Sequence, residues 1–129
     1  MPRTAASTVL PAGTNIVILR GHLSRPPEER ALPSGDRLLV YDVTMPAEGR
    51  RADTARVVWF DAPPAATQLE PDEEVVVIGR VRRRFFRAGG ATQSQTDIVA
   101  DTVVPARQAK RAVAAVRAVL ARLGEGRAG

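Results

Sequence analysis

The run Glu73–Phe86, EEVVVIGRVRRRFF, constrains the fold more than any other stretch of the chain. Its first half is packed with β-branched residues, which favour extended backbone. Gly89-Gly90 follows, the kind of pair a tight hairpin turn requires, and Thr92–Val104 reads as the returning strand. Two long antiparallel strands need further strands to bury their apolar face, so the expectation is an all-β domain.

Three more β-rich runs precede the hairpin: Asn15–Leu23, Arg37–Thr44 and Thr54–Phe60. Between the first and second lies SRPPEERALPSGD, read as a loop from its Pro, Ser and Gly content. MPAEGRRAD is a polar loop, and Ala62–Glu70 is read as a short helix stopped by Pro71. Five strands, irregular loops and a short helix between strands three and four match a five-stranded OB-fold barrel. A plain β-sandwich would need about seven strands.

After Pro105, Ala112, Val113, Val116, Val119, Leu120 and Leu123 share one arc at helical spacing. Arg107, Lys110, Arg111, Arg117 and Arg122 fall on the other arc. The apolar stripe is expected to dock on the domain or on another subunit. The expected organisation is a loose arm over residues 1–14, a barrel over 15–104, a basic amphipathic helix over 105–124 and a flexible end over 125–129. At 129 residues the chain accommodates one domain.

Several function classes are excluded at this level. No apolar run approaches the roughly 18–20 residues that span a bilayer, and the N-terminus lacks the apolar core of a signal peptide. A cytoplasmic protein without a membrane partner is the default. The chain has no cysteine, so it has neither disulfides nor a thiolate zinc site. Its one histidine, His22, has no converging ligands in sequence. Gly-rich phosphate loops are absent. Glu73 and Glu74 are neighbours in a strand, so they point to opposite faces and form no carboxylate dyad. The chain is therefore expected to be no enzyme and to carry no metal and no cofactor.

Charge supplies the positive signal. Residues 1–74 carry 8 basic and 11 acidic side chains, a net −3, while residues 75–129 carry 11 and 3, a net +8. An anionic partner for the C-terminal half follows. Arg outnumbers Lys by 18 to 1, and Arg stacks on bases and forks onto phosphates. A GC-rich genome alone would produce the same ratio.

Strand parity divides this charge. Side chains alternate across a strand, so Arg80, Arg82, Arg84 and Phe86 share one face of the fourth strand. Val75, Val77, Val81, Arg83 and Phe85 share the other. Val75, Val77 and Val81 are expected in the core. Arg83 breaks that pattern, so the strand is expected to continue beyond the barrel as a projecting hairpin, with Phe85 packed beneath it. In the third strand, core positions for Val57 and Trp59 put Arg56 and Phe60 outside. Arginines interleaved with aromatics suit single-stranded nucleic acid, with each base–aromatic stack contributing roughly 1–3 kcal/mol. The opposing reading makes Phe60 and Phe86 ordinary core and the arginines a solvated edge that discourages aggregation.

NIVILRGHLSRPPEERALPSGD, with Asn15, Gly21, Leu23, Pro27, Glu28, Arg30, Pro33 and Gly35, resembles the opening of the bacterial single-stranded DNA-binding protein family. TARVVWFDAPPAATQLEPDEEVVVIGRVRRRFF resembles that family's third strand, short helix and fourth strand. The resemblance covers about Asn15 to Val104. It implies an OB-fold homotetramer or dimer that binds single-stranded DNA, with base-stacking aromatics at Phe60 and Phe86 and basic contacts at Arg56, Arg82 and Arg84. Arg80, Arg87 and the Gly89-Gly90 hairpin join these from strand parity and position. The chain departs from the family at Thr54, where a tryptophan is usual, and in MPAEGRRAD, which lacks the usual aromatic. A basic helix stands where the family has a long tail with an acidic tip, which puts the protein partners recruited by that tip in doubt. An assembly adaptor on the same fold and a single-stranded RNA binder are the alternatives.

Overall fold

A computed structural model describes residues 10–128. Most of the expected N-terminal arm, and Gly129, lie outside them. The strands are β1 (Val17–Leu23), β2 (Glu28–Ala31), β3 (Arg37–Met45), β4 (Asp53–Phe60), β5 (Glu74–Ala88) and β6 (Ala91–Pro105). A short 3-10 turn, Pro64–Gln68, lies between β4 and β5, and helix α1 (Ala109–Ala128) ends the described chain. The expected flexible end, residues 125–129, thus begins inside the helix.

Neighbouring strands run in the order β1-β5-β6-β4-β3-β2. The sheet then closes on itself, because the end of β1, still beside β5 at His22↔Glu74, also pairs with β3 through His22↔Thr44 and Leu23↔Val43. β4 and β6 pair in parallel at Val57↔Ile98 and Val58↔Val99, and every other pairing is antiparallel. Two glycines permit this packing. A Cβ on Gly21 would stand 2.3 Å from the Thr44 carbonyl oxygen, and one on Gly79 would stand 2.1 Å from that of Val99.

β2 corrects the five-strand expectation. Glu28–Ala31 pairs with Arg37–Val40 along the outer edge of β3. All four of its residues are exposed, so backbone pairing defines the strand and no apolar alternation marks it in the sequence.

Inside the ring, Leu39, Tyr41 and Val43 of β3 meet Val57 and Trp59 of β4, Val75 and Val77 of β5, and Ala100 and Val103 of β6. The 3-10 turn adds Ala66, whose carbonyl accepts a hydrogen bond from the Tyr41 hydroxyl at 3.3 Å. Burial pushes the Tyr41 hydroxyl's pKa up. A second, smaller apolar cluster lies on the outer side of the sheet, where Leu38, Val40, Val58 and Val99 pack together.

The β5–β6 hairpin turns at Gly89 and Gly90, with φ of 61° and 81°, values that glycine adopts without steric cost. Pairing then runs from Ala88↔Ala91 to Gly79↔Ala100 and resumes at Ile78↔Thr102, leaving Asp101 as an extra residue in β6. That bulge lets Ala100 and Val103, which would otherwise alternate, both face the core. β1 accompanies β5 only as far as Gly79. Asn15 then takes over: its Nδ2 donates to the Val81 carbonyl at 2.7 Å and its Oδ1 accepts from the Val81 amide at 2.9 Å. Past this point β5 and β6 continue as a two-stranded ribbon.

α1 docks on the outer face of the hairpin's base. Ala112 packs with Val76 and Val104, flanked by Ala115 and Val116, and Val119 is also buried. The expected single stripe is narrower than proposed, since Val113 and Leu120 are exposed. They sit roughly 100° or more around the axis from Val119, too far to reach the same flat sheet face. Arg107 Nε donates to Glu73 Oε2 at 2.8 Å and anchors the entry to the helix.

Candidate nucleic-acid interface

The outer face of β4, β5 and β6 collects charge in a cross-strand row. Asp42 of β3 stands opposite Arg56 of β4, and Asp97 of β6 stands opposite Arg82 of β5. Arg56 and Asp97 close the row, with Nε 3.2 Å from Oδ1. Negative and positive groups therefore alternate across four strands. Asp42 also meets Arg25, whose Nε lies 3.2 Å from its Oδ2.

Asp97 is the centre of this arrangement. It is 1% exposed, and three guanidinium groups converge on its carboxylate. Arg84 Nε donates to Oδ2 at 2.9 Å, and Arg82 Nη2 reaches the same oxygen at 3.5 Å. Arg56 makes an ionic contact without an aligned hydrogen bond, so its Nε and Asp97 Oδ1 are left unpaired. A buried carboxylate is tolerated only when paired in this way. Arg84 is held a second time, by Nη2 donating to Gln95 Oε1 at 2.8 Å.

Two of these arginines lie against the aromatics singled out in the sequence. The Arg82 guanidinium sits over the Phe60 ring at 5.5 Å, and that of Arg84 over Phe86 at 5.6 Å. Both rings are 37% exposed. Phe60 and Phe86 are therefore not core, and Trp59 is, as strand parity required. Arg80 shares their face but stands apart, 3.9 Å from Asp101.

The other face of the ribbon overturns two expectations. Val81 is 43% exposed rather than core, because β1 and the core inside the ring of strands end before it. Phe85 does not pack beneath the hairpin. It is the most exposed aromatic described, at 67%, and Arg83 covers its ring at 5.4 Å. Arg87 belongs to this face by alternation, away from Phe86, and donates to the Gly90 carbonyl at 3.0 Å. Arg83 donates to Ser94 Oγ. Neither has a carboxylate partner among the described residues.

Asp97 is the functional candidate that sequence reasoning missed. A two-residue Gly89-Gly90 turn fixes the register of everything beyond it and sets residue 97 opposite residue 82. The first acid of the returning strand was thus placeable from the turn alone.

Among the described residues no three His, Cys, Asp or Glu side chains gather as a metal site, and no helix is long and apolar enough to cross a membrane. Comparison with known families finds no matching family, and comparison with curated proteins finds no match.

Proposed function

We propose that this chain is a non-catalytic, sequence-nonspecific single-stranded DNA-binding protein on an OB-type barrel, a divergent relative of the bacterial family it resembles. The ring order β1-β3-β4-β6-β5, with one parallel pair and a short turn between β4 and β5, supports the OB reading. The single observation that carries the function is the pair of half-exposed phenylalanines on two strands of one face, each beside an arginine. Bases stack on Phe60 and Phe86 while Arg56, Arg80, Arg82 and Arg84 take the phosphates, and the hairpin tip curls over the strand. The protein acts in replication, recombination or repair in the cytoplasm.

The chain works as a homotetramer or as a dimer of paired first strands. Val17–Gly21 supports this reading, since β5 occupies only one edge of that stretch.

Exposed Val113 and Leu120 on a basic helix favour a second reading, an adaptor whose α1 binds an acidic protein segment. Fluorescence anisotropy with labelled oligo-dT, matched duplex DNA and RNA separates the two. The first reading expects preference for oligo-dT and steep loss of affinity with salt. No binding at micromolar protein and low salt overturns it, and preference for RNA reassigns the ligand.

A further inference from the structure

We infer that Asp97 is the positioning residue of this face: its one buried carboxylate fixes the two arginines that lie against Phe60 and Phe86, presents both rings as a single platform, and withholds one positive charge from the strand. The inference rests on the nucleic-acid reading above and assigns that site its organising residue.

The connection is continuous. Phe60 meets Arg82, Arg82 and Arg84 meet at Asp97 Oδ2, and Arg84 meets Phe86. The chain of contacts spans β4, β5 and β6. Asp97 is buried, and among the described residues only Arg56, Arg82 and Arg84 reach it, so neither arginine of the chain can be replaced there by a cation from outside this face. A guanidinium presents several N–H donors in a fixed fork, so an arginine held from beneath still offers other donors outward to phosphate. Arg84 spends its Nε and Nη2 on Asp97 and Gln95 and retains Nη1. The ribbon supplies its own control. On the opposite face Arg83 covers Phe85 in the same way, but its side-chain partner is the Ser94 hydroxyl and not a carboxylate, and Phe85 is nearly twice as exposed as Phe86.

The test uses the full chain and Asp97→Asn, titrated against labelled oligo-dT over a salt series. With its charge released, the variant's plot of log affinity against log salt steepens by about 0.7, the value of one more phosphate neutralised on a single strand. Its affinity at high salt, where stacking dominates, falls roughly tenfold. A folded variant with a parallel line and unchanged high-salt affinity overturns the inference and leaves Asp97 a structural counterion.

Should Asp97→Asn not fold, a double-variant cycle decides. Phe60→Ala and Phe86→Ala together depart from the product of their separate effects by more than about threefold, whereas Phe60→Ala with Phe85→Ala multiplies simply. Simple multiplication in both pairs overturns the inference. Failure of the unaltered protein to bind oligo-dT instead overturns the functional reading itself, and this inference with it.

Discussion

The Arg82 guanidinium lies 5.5 Å from the centroid of the Phe60 ring, joining the middle of the β5 ribbon to the end of β4. The contact spans two strands that are not hydrogen-bonded neighbours, since β6 stands between them. It draws an aromatic from the closed sheet and a cation from the ribbon into one surface, and Arg84 and Phe86 extend that surface toward the hairpin tip.

Removing either ring tests what the surface does. Phe60→Ala and Phe86→Ala each weaken oligo-dT binding by about 1–3 kcal/mol, with thermal unfolding close to that of the unaltered protein. Anisotropy titrations beside melting curves check both halves. A variant that unfolds would return its phenylalanine to the core.

Phe85→Ser leaves stability within about 0.5 kcal/mol, as expected for a side chain 67% exposed. Urea denaturation measures this. A large loss would mean that Phe85 packs against part of the protein.

Gly79→Ala is the opposite case. The new methyl meets a backbone carbonyl at 2.1 Å beside the β6 bulge, and backbone cannot swing aside as a side chain can. A cost of about 1–3 kcal/mol or more is expected, read from the urea midpoint. A neutral result would show that the β5–β6 register is looser than described.

Acid weakens the attachment of α1. Burial pushes the Glu73 carboxyl up, but the Glu70 amide and Arg107 outweigh it and hold it below the ordinary carboxylate range. A depressed native pKa contributes stability above the unfolded value, and that contribution is lost as pH falls through the native one. The melting temperature of the unaltered protein therefore exceeds that of Glu73→Gln most clearly above about pH 5, and the gap narrows toward acid. A gap independent of pH contradicts this role for the Arg107 pair.

Much of the closed sheet was legible because burial there follows alternation. Val57, Trp59, Val75 and Val77 obey period two, and Arg56, Phe60 and Phe86 follow as the outward set. Legibility ended where burial stopped defining structure. β2 has no buried residue, so no pattern exposes it. Val81 and Phe85 keep the parity of core positions, but the ribbon has outrun the core, and alternation carries no information about where a core ends. Val113 and Leu120 are misleading for a related reason: helical periodicity gives the arc but not the width of the surface that receives it. Asp97 is different. Its place follows from the turn register, and its importance lies in long-range convergence, since Arg56 comes from a strand 41 positions earlier.

The most direct measurement of the central claim is the affinity for labelled oligo-dT over a salt series, taken for the unaltered protein and for the Phe60→Ala/Phe86→Ala pair. The account predicts steep salt dependence in both, tighter binding to oligo-dT than to duplex in the unaltered protein, and loss of that preference in the double variant. Equal affinity for oligo-dT and duplex, or an unchanged preference after both rings are removed, would contradict it.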